Sequence, residues 1–209
     1  MLRKRVGGDA FATGRVEAVL RCAKRMDAMI EDLVDSARND SHQLRLRPQP
    51  IDVAAYLSEL LDRSAPLLEV GRVRLPPNGA GGLIALADPC RLDRIVLNLV
   101  TNALKYSPPG SAVELGAAAT DGWVTISVAD HGPGIPSADL PHVFDRFYRG
   151  HGTAARGGLG IGLYSVRLLV EAHGGRVRVT PGPHGGTTFK VALPAPSYPG
   201  RDALEERKP

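Results

Sequence analysis

The sequence predicts an α+β fold, a two-layer sandwich in which helices cover one face of a β-sheet, preceded by a long separate helix. From residue 83 onward, strand and helix patterns follow one another in mixed order. Two pairs of neighbouring strand segments can form antiparallel hairpins: 112–119 with 123–130, and 176–180 with 187–193. A length of 209 residues, 43% of them hydrophobic and 23% charged, suits one sizeable core with a small accessory element.

A heptad repeat predicts the separate helix, at about residues 15–39. Its apolar residues are spaced alternately three and four apart: Val16, Val19, Ala23, Met26, Ile30, Leu33 and Ala37. So narrow a stripe needs a partner helix, and we expect a homodimer through this helix. The alternative is an amphipathic helix that lies on the main domain. Gly7-Gly8-Asp9 predicts the bend of a helical hairpin, most of whose first arm is missing.

Pro48 and Pro50 are expected to break the chain after this helix. They divide a partial helical hairpin at 1–47 from a main domain at 48–194, and the tail at 195–209 is expected to be disordered. Besides the four hairpin strands, the main domain is predicted to contain a helix at 52–63, a loop at 75–82, a strand at 83–87 and helices at 89–105 and 160–173.

Composition excludes several classes of function. The net charge of +4 is mild and the basic residues are scattered, which argues against a nucleic-acid partner. Cys22 and Cys90 lie far apart, without the spacing of a disulfide framework or a zinc site. No apolar run approaches the about 20 residues that a membrane-spanning helix needs. We therefore expect a cytoplasmic chain without a membrane segment, any anchor lying upstream.

The helix predicted at 89–105 carries a polar stripe beside its apolar face. Asn98, Asn102 and Lys105 follow one another four and three residues apart. Asparagine is a poor residue for a helix interior, but its amide oxygen is a suitable ligand for Mg²⁺ that bridges phosphates, and Lys105 adds a positive charge. The alternative, a solvated polar stripe, would be favoured if this motif stood alone.

Two glycine clusters add to this pattern. Asp130 ends a predicted strand before Gly132 and Gly134, where a carboxylate can accept a hydrogen bond from an exocyclic amine, although an ordinary Asx turn is the alternative. A second cluster, at 157–162, opens the helix that ends at His173. Its free N–H groups and the positive end of the helix dipole favour phosphate. The cluster fits neither a P-loop nor a dinucleotide fingerprint. His173 itself is expected to cap or pack.

The order of these motifs resembles the ATP-binding catalytic domain of bacterial two-component sensor histidine kinases, within the superfamily of gyrase, heat-shock chaperone, kinase and mismatch-repair ATPases. The segments that carry the resemblance are LNLVTNALKYSPPG (97–110), VADHGPGIP (128–136), VFDRFYRG (143–150), GGLGIGLYSVRLLVEAHGG (157–175) and GGTTFKVALP (185–194). AKRMDAMIEDLVDSARND (23–40) is similar to the second helix of the dimerisation and phosphotransfer hairpin. The resemblance implies a Bergerat-type ATP-binding fold.

The resemblance also implies roles for single residues. Asn102 would coordinate Mg²⁺, with Asn98 and Lys105 as catalytic residues beside the phosphates of ATP. Asp130 would accept the adenine amine. The other implied ATP-binding residues are Tyr106, Gly132, Gly134, Ile135, Phe147, Gly158, Leu159, Gly160, Ile161, Gly162, Leu163, Thr187 and Thr188.

Among them, Gly132 and Gly134 would admit the base. Phe147, together with Phe144, would anchor a mobile lid at 149–156. Glycines 158, 160 and 162 would wrap the phosphates, and Thr187 or Thr188 would help to close the adenine pocket.

The implied reaction transfers the γ-phosphoryl group of ATP to a histidine and then to an aspartate on the receiver domain of a response regulator. Hydrolysing relatives place a Glu where Asn98 stands, and an amide cannot take a proton from water. We therefore expect little ATP hydrolysis, which favours a kinase over a gyrase-type ATPase.

The sequence departs from the family pattern at the acceptor. None of the six histidines has the expected context, a histidine followed by an acid and then a proline on the first hairpin helix. The chain is therefore interpreted as a kinase core cut inside its hairpin, with the acceptor upstream. The alternative is a non-catalytic nucleotide-binding and dimerisation module that interacts with a partner kinase. An anti-sigma-type serine kinase would leave the heptad helix unexplained.

Overall fold

In a computed structural model, the described residues are 45–65, 68–76, 82–150, 159–182 and 185–196. They form a five-stranded sheet packed against helices, together with a two-stranded sheet. The α+β sandwich predicted from the sequence is confirmed. The predicted helix at 15–39 and the tail from 197 onward lie outside the described residues.

The elements follow the predicted order closely. They are β1 (Gln49–Asp52), α1 (Val53–Ser64), β2 (Val73–Arg74), β3 (Ile84–Ala87), α2 (Pro89–Tyr106), β4 (Val113–Thr120), β5 (Trp123–Ala129), α3 (Gly162–Ala172), β6 (Arg176–Pro181) and β7 (Thr187–Pro194). Short 3₁₀ turns cover Val70–Arg72 and Leu140–His142. The three predicted helices and the five predicted strands of the main domain are present, with bounds shifted by one or two residues.

The five-stranded sheet has the order β2-β4-β5-β7-β6. Both predicted hairpins, β4 with β5 and β6 with β7, are antiparallel. The β4–β5 turn consists of Asp121 and Gly122, both with positive φ (48° and 79°), which is the two-residue turn that matches strand twist. Along β5, buried Val124, Ile126 and Val128 alternate with half-buried residues, so one face of the sheet forms the core.

Strands β1 and β2 are missing from the sequence prediction, and Pro50, expected only to interrupt the chain after the preceding helix, belongs to a strand. This residue lies within β1, opposite Leu86 of β3. A proline cannot donate to a ladder, but a strand that pairs on one side only can turn that position away from its neighbour. Strand β2 is two residues long and pairs parallel with the start of β4.

Helix α2 is fixed by its cap and its apolar face. The Asp88 side chain accepts hydrogen bonds from the N–H groups of Cys90 (3.0 Å) and Arg91 (3.3 Å), and Pro89 occupies the first turn. The buried face consists of Leu92, Ile95, Val96, Leu99, Val100 and Ala103. This face turns the polar stripe of the same helix away from the core.

Within the described part of the chain, no helix combines the length and the apolar character that a membrane span requires.

Candidate functional site

The polar stripe of α2 meets the start of α3. Asn98 is half-buried, and its Nδ2 donates to the carbonyl of Gly162 at 3.4 Å. A Cβ on Gly162 would lie 3.8 Å from the Asn98 side chain, which is ordinary van der Waals contact. Asn102 is half-buried one turn further along, and Lys105 is exposed. The structure therefore brings together the polar stripe of α2 and the glycine cluster that opens α3.

Helix α3 begins without a side-chain cap. Helices α1 and α2 are capped by the carboxylates of Asp52 and Asp88, whereas Ile161 provides no such group to α3. Gly160, with φ of 70°, turns the chain into the helix. Among the described residues, no carboxylate caps the N–H groups and the positive dipole end of this helix, next to Asn98. Such an end favours an anion.

Asp130 is the second polar centre. It follows β5 and is only 4% exposed. Its Oδ1 accepts hydrogen bonds from the N–H groups of Gly132 (2.7 Å) and Thr187 (3.3 Å), while its own N–H donates to the Thr187 carbonyl at 2.8 Å. Within the described ranges, no group donates to Oδ2. One oxygen is thus fixed by the protein, and the other can accept from a ligand.

Burial shifts the proton affinity of this carboxyl group. Loss of hydration raises the pKa of Asp130 above its usual value. The backbone N–H groups of Gly132 and Thr187, and the charge of neighbouring His131, act in the opposite direction. A carboxylate held in this way gains from any donor that a ligand brings to it.

The glycines around Asp130 allow backbone segments to approach closely. A Cβ on Gly132 would lie 2.8 Å from Asp130 Oδ1 and 3.1 Å from the Tyr106 carbonyl oxygen. A Cβ on Gly134, which has φ of 73°, would lie 2.6 Å from the Gly185 carbonyl oxygen. The sequence analysis missed Gly186, whose Cβ would collide with the Asp130 backbone. The predicted role of the first two glycines beside a base stays a prediction.

Helix α2 connects the two polar centres. Asn98 faces α3, and Tyr106, eight residues later, ends the helix beside Gly132. Eight residues of helix correspond to about 12 Å. Lys105 Nζ lies 4.9 Å from the centre of the Tyr106 ring, at the same end of the helix. The arrangement suits an extended ligand whose two ends differ in chemistry.

The segment around Phe147 joins the two ends of the predicted lid. The Phe147 N–H donates to the Gly160 carbonyl at 3.0 Å. The connection is made by the backbone of Phe147, which is 56% exposed. Phe144, in contrast, packs edge-on against Phe189 with ring centres 6.1 Å apart. Leu159 is 49% exposed.

The remaining predicted residues differ in their surroundings. Ile161 and Thr188 are buried, and Leu163 packs partly against the core. Gly158 and most of the predicted lid lie outside the described residues.

A cavity of about 250 Å³ lies beside the Asp130 loop. Three of the predicted residues line it, Gly134, Ile135 and Thr187. The other lining residues are Pro133, Pro136, Leu140, Thr180, Pro181, Gly185 and Gly186. Because neither Asp130 nor the α2 stripe lines this cavity, we locate the candidate site by its polar groups.

Comparison with known proteins shows the family to which this fold belongs. Residues 87–197, more than half of the chain, match the family described as histidine kinase-, DNA gyrase B- and HSP90-like ATPases. The chain belongs to this ATPase family. The matched range includes α2, the Asp130 loop, the start of α3 and β7, which carry the polar groups of the candidate site.

Its relatives within the family include sensor kinases. The chain is 35% identical over 195 residues to the signal transduction histidine-protein kinase AfsQ2 of Streptomyces coelicolor, covering 93% of this chain and 35% of AfsQ2. It is 33% identical over 181 residues to the sensor-like histidine kinase SenX3 of Mycobacterium tuberculosis, covering 86% of this chain and 44% of SenX3. The chain therefore spans less than half the length of these relatives.

Solved structures show the same architecture. The mycobacterial sensor histidine kinase MprB superposes with a TM-score of 0.59 at 31% identity, covering 71% of this chain and 98% of the MprB chain. Full-length ShkA in complex with AMPPNP superposes with a TM-score of 0.67 at 28% identity, covering 90% of this chain and 39% of ShkA. The fold of the ATPase family is thus present in this chain.

Proposed function

We propose that this chain is the ATP-binding catalytic core of a sensor histidine kinase. It transfers the γ-phosphoryl group of ATP to a histidine, for relay to an aspartate on the receiver domain of a response regulator. The observation that carries this proposal is the buried Asp130 carboxylate, with one oxygen fixed by two backbone N–H groups and the other available to a ligand. The kinase names of AfsQ2 and SenX3 support it.

The adenine ring is recognised at the Asp130 end. The exocyclic amine donates to Asp130 Oδ2, in the same way as the backbone N–H groups already donate to Oδ1. Tyr106 is close by, because its carbonyl lies against Gly132. Thr187, whose N–H helps to fix the carboxylate, and Ile135 complete this end of the site. The AMPPNP complex of ShkA supports a nucleotide ligand.

The phosphates are bound between α2 and α3. The uncapped N–H groups at Gly162 and the Lys105 ammonium carry positive charge to this region. The described residues contain no group of three His, Cys, Asp or Glu side chains that could hold a metal ion alone. The Asn102 amide, with Asn98 beside it, fits Mg²⁺, which binds through few protein oxygens when phosphates complete its shell. When bound, Mg²⁺ would offset negative charge on the phosphates.

The transfer step breaks the bond between the γ-phosphorus and its bridging oxygen and forms a bond to an imidazole nitrogen. ADP leaves with the electron pair of the broken bond. Lys105 and the α3 dipole stabilise the charge that develops on the phosphate oxygens. Asn98 cannot remove a proton from water, so transfer to a histidine is favoured over hydrolysis.

We expect a separate helix to supply the acceptor histidine, because the three histidines in the described ranges are engaged by other groups. His131 contacts the Ala112 carbonyl at 3.0 Å, and His173 is buried with both ring nitrogens in contact with backbone groups. His142 pairs with Asp145 at 2.9 Å. The predicted homodimer through 15–39 and the cytoplasmic location belong to the same proposal.

The test is incubation with γ-labelled ATP and Mg²⁺, with and without a separate hairpin peptide that carries an acceptor histidine, followed by acid treatment. We expect ATP binding, no label on this chain alone, and acid-labile label on the added hairpin. Asp130→Asn should weaken ATP binding by at least about tenfold and reduce the label on the added hairpin accordingly. Asp121→Asn makes the same chemical change in an exposed turn and should behave like the wild type. Binding without label on any hairpin would favour the non-catalytic module.

A further inference from the structure

Arg72 holds the loop that follows α2. It ends the short turn before β2, and its side chain is 17% exposed. The guanidinium group donates from Nε to the Ser111 carbonyl (3.0 Å), from Nη2 to the Pro108 carbonyl (2.8 Å) and from Nη1 to Glu69 Oε2 (2.8 Å). One side chain thus binds two carbonyl groups of a loop that lies more than thirty residues away in sequence.

The same loop is also held by residues next to Asp130. The His131 ring is tied through Nδ1 to the Ala112 carbonyl at 3.0 Å. Because a carbonyl only accepts, Nδ1 carries the proton. At the start of the loop, the Tyr106 carbonyl lies against Gly132, where a Cβ would come within 3.1 Å. The loop therefore lies between Arg72 and the two residues that follow Asp130.

We propose that Arg72 is a positioning residue for the nucleotide site. By fixing the loop 107–112, it sets the separation between Lys105 at the end of α2, which is proposed to contact the phosphates, and the Asp130 carboxylate, which is proposed to contact the base. The inference rests on the proposed function, because it assumes that one nucleotide contacts both places. Only arginine has the planar set of donors that reaches two carbonyl groups and a carboxylate at once.

A merely structural role would give a different result. Arg72 precedes β2, whose Val73 pairs with Val113, so its loss could simply weaken the sheet edge. Weakening of the fold would lower the melting temperature and reduce the binding of every ligand alike. Loss of positioning affects a ligand that spans both places more than one that occupies a single place.

The first test compares ATP with adenosine, using Arg72→Gln and Arg72→Lys. The matched control is Arg74→Gln, which removes the same charge from an exposed residue of β2. For Arg72→Gln we expect the Kd of ATP to rise by about threefold to tenfold, the effect of losing one or two hydrogen bonds, while adenosine binding changes by less than about twofold. Arg72→Lys, which can reach one carbonyl, should be intermediate. Equal losses for both ligands, or none, would overturn the proposal.

The second test needs no nucleotide, and so separates this proposal from the proposed function. The N–H of Gly132 donates to Asp130 Oδ1 at 2.7 Å and should exchange slowly in the ligand-free chain. Arg72→Gln should speed hydrogen exchange in the 128–136 peptide by at least about threefold, with Arg74→Gln unchanged. If the wild type binds no ATP, the function fails and this result alone decides the role of Arg72. Unchanged exchange there would refute that role.

Discussion

The buried ring of His173 accepts a hydrogen bond from the backbone N–H of Asp88, so the last turn of α3 is joined to the first turn of α2. The distance from Asp88 N to His173 Nε2 is 3.0 Å, and Nδ1 donates to the Leu169 carbonyl at 2.6 Å. The ring is therefore neutral, with its proton on Nδ1. The two helices that carry the candidate phosphate site are held together at the ends remote from it.

The neutral state of His173 predicts a loss of stability in mild acid. Burial lowers the pKa of His173 below its usual value of about 6.5. As the pH falls below this value, His173 therefore becomes protonated in the unfolded chain before it does so in the folded chain. This contribution to stability is complete above about pH 6.5 and decreases as the pH falls towards the lower folded pKa. Urea unfolding between pH 7.5 and 5 measures the change.

Two variants isolate the contribution of His173. His173→Gln should cost about 1–3 kcal/mol at pH 7.5, because a buried donor loses its partner, and should show a smaller loss between pH 7.5 and 5. His142→Gln removes an exposed histidine and serves as the control for the loss of a histidine outside the core. An unaltered pH dependence in His173→Gln would show that other groups cause the acid loss.

The charged carboxylate of Asp130 is expected to lower the unfolding free energy while it raises the affinity for ATP. Because burial raises its pKa, the folded chain protonates Asp130 before the unfolded chain does, so at neutral pH the charged form costs stability. Asp130→Asn keeps an oxygen for the Gly132 and Thr187 N–H groups and removes the charge. We expect its unfolding free energy at pH 7 to equal or exceed that of the wild type, while ATP affinity falls by at least about tenfold.

The advantage of Asp130→Asn should disappear in acid. Below the raised pKa the wild-type carboxyl is also neutral, so the two unfolding free energies should converge as the pH falls. Asp121→Asn, in the exposed turn, should have neither the gain in unfolding free energy at pH 7 nor this convergence in acid. A large loss of stability in Asp130→Asn at pH 7 would contradict the cost that we assign to the buried charge.

Local patterns predict most of the fold, whereas the roles of the candidate site residues follow from the family resemblance. Helix α2 follows from an aspartate cap, a proline and an apolar face that repeats every three to four residues. Strands β1 and β2 carry no such signal, because four and two residues show no period and their pairing depends on distant partners. For the same reason no pattern reveals Arg72, whose partner carbonyl at Pro108 lies 36 residues away.

Gly132→Ala should impair both binding and folding. The new methyl group would lie 2.8 Å from Asp130 Oδ1 and 3.1 Å from the Tyr106 carbonyl oxygen, so the carboxylate or the end of α2 must shift. We expect at least about a tenfold rise in the Kd of ATP, with a stability loss of about 1–3 kcal/mol. Calorimetric titration and thermal unfolding measure the two effects. Gly71→Ala, which adds a methyl group to open space, should match the wild type.

The geometry of Gly160 indicates that its hydrogen bond with Phe147, which connects the two ends of the predicted lid, matters for function. It has φ of 70°, and a Cβ there would lie 2.5 Å from the Tyr148 carbonyl oxygen, so alanine suffers both backbone strain and a clash. Phe147 also has a positive φ, 63°, and its N–H donates to the Gly160 carbonyl. Phe147, a residue other than glycine in this costly conformation, supports one hydrogen bond, and such strain is typical of a functional site.

Gly160→Ala should therefore break the connection between the two ends of the predicted lid. We expect limited proteolysis within 148–160 to speed up by at least about fivefold and ATP affinity to fall, while adenosine binding at Asp130 is retained. Phe147→Asn is the matched variant, because asparagine tolerates a positive φ and keeps the N–H donor. It should cleave no faster than the wild type, since the bond to Gly160 remains. Faster cleavage in Phe147→Asn would mean that the exposed ring, and not the backbone bond, holds the lid.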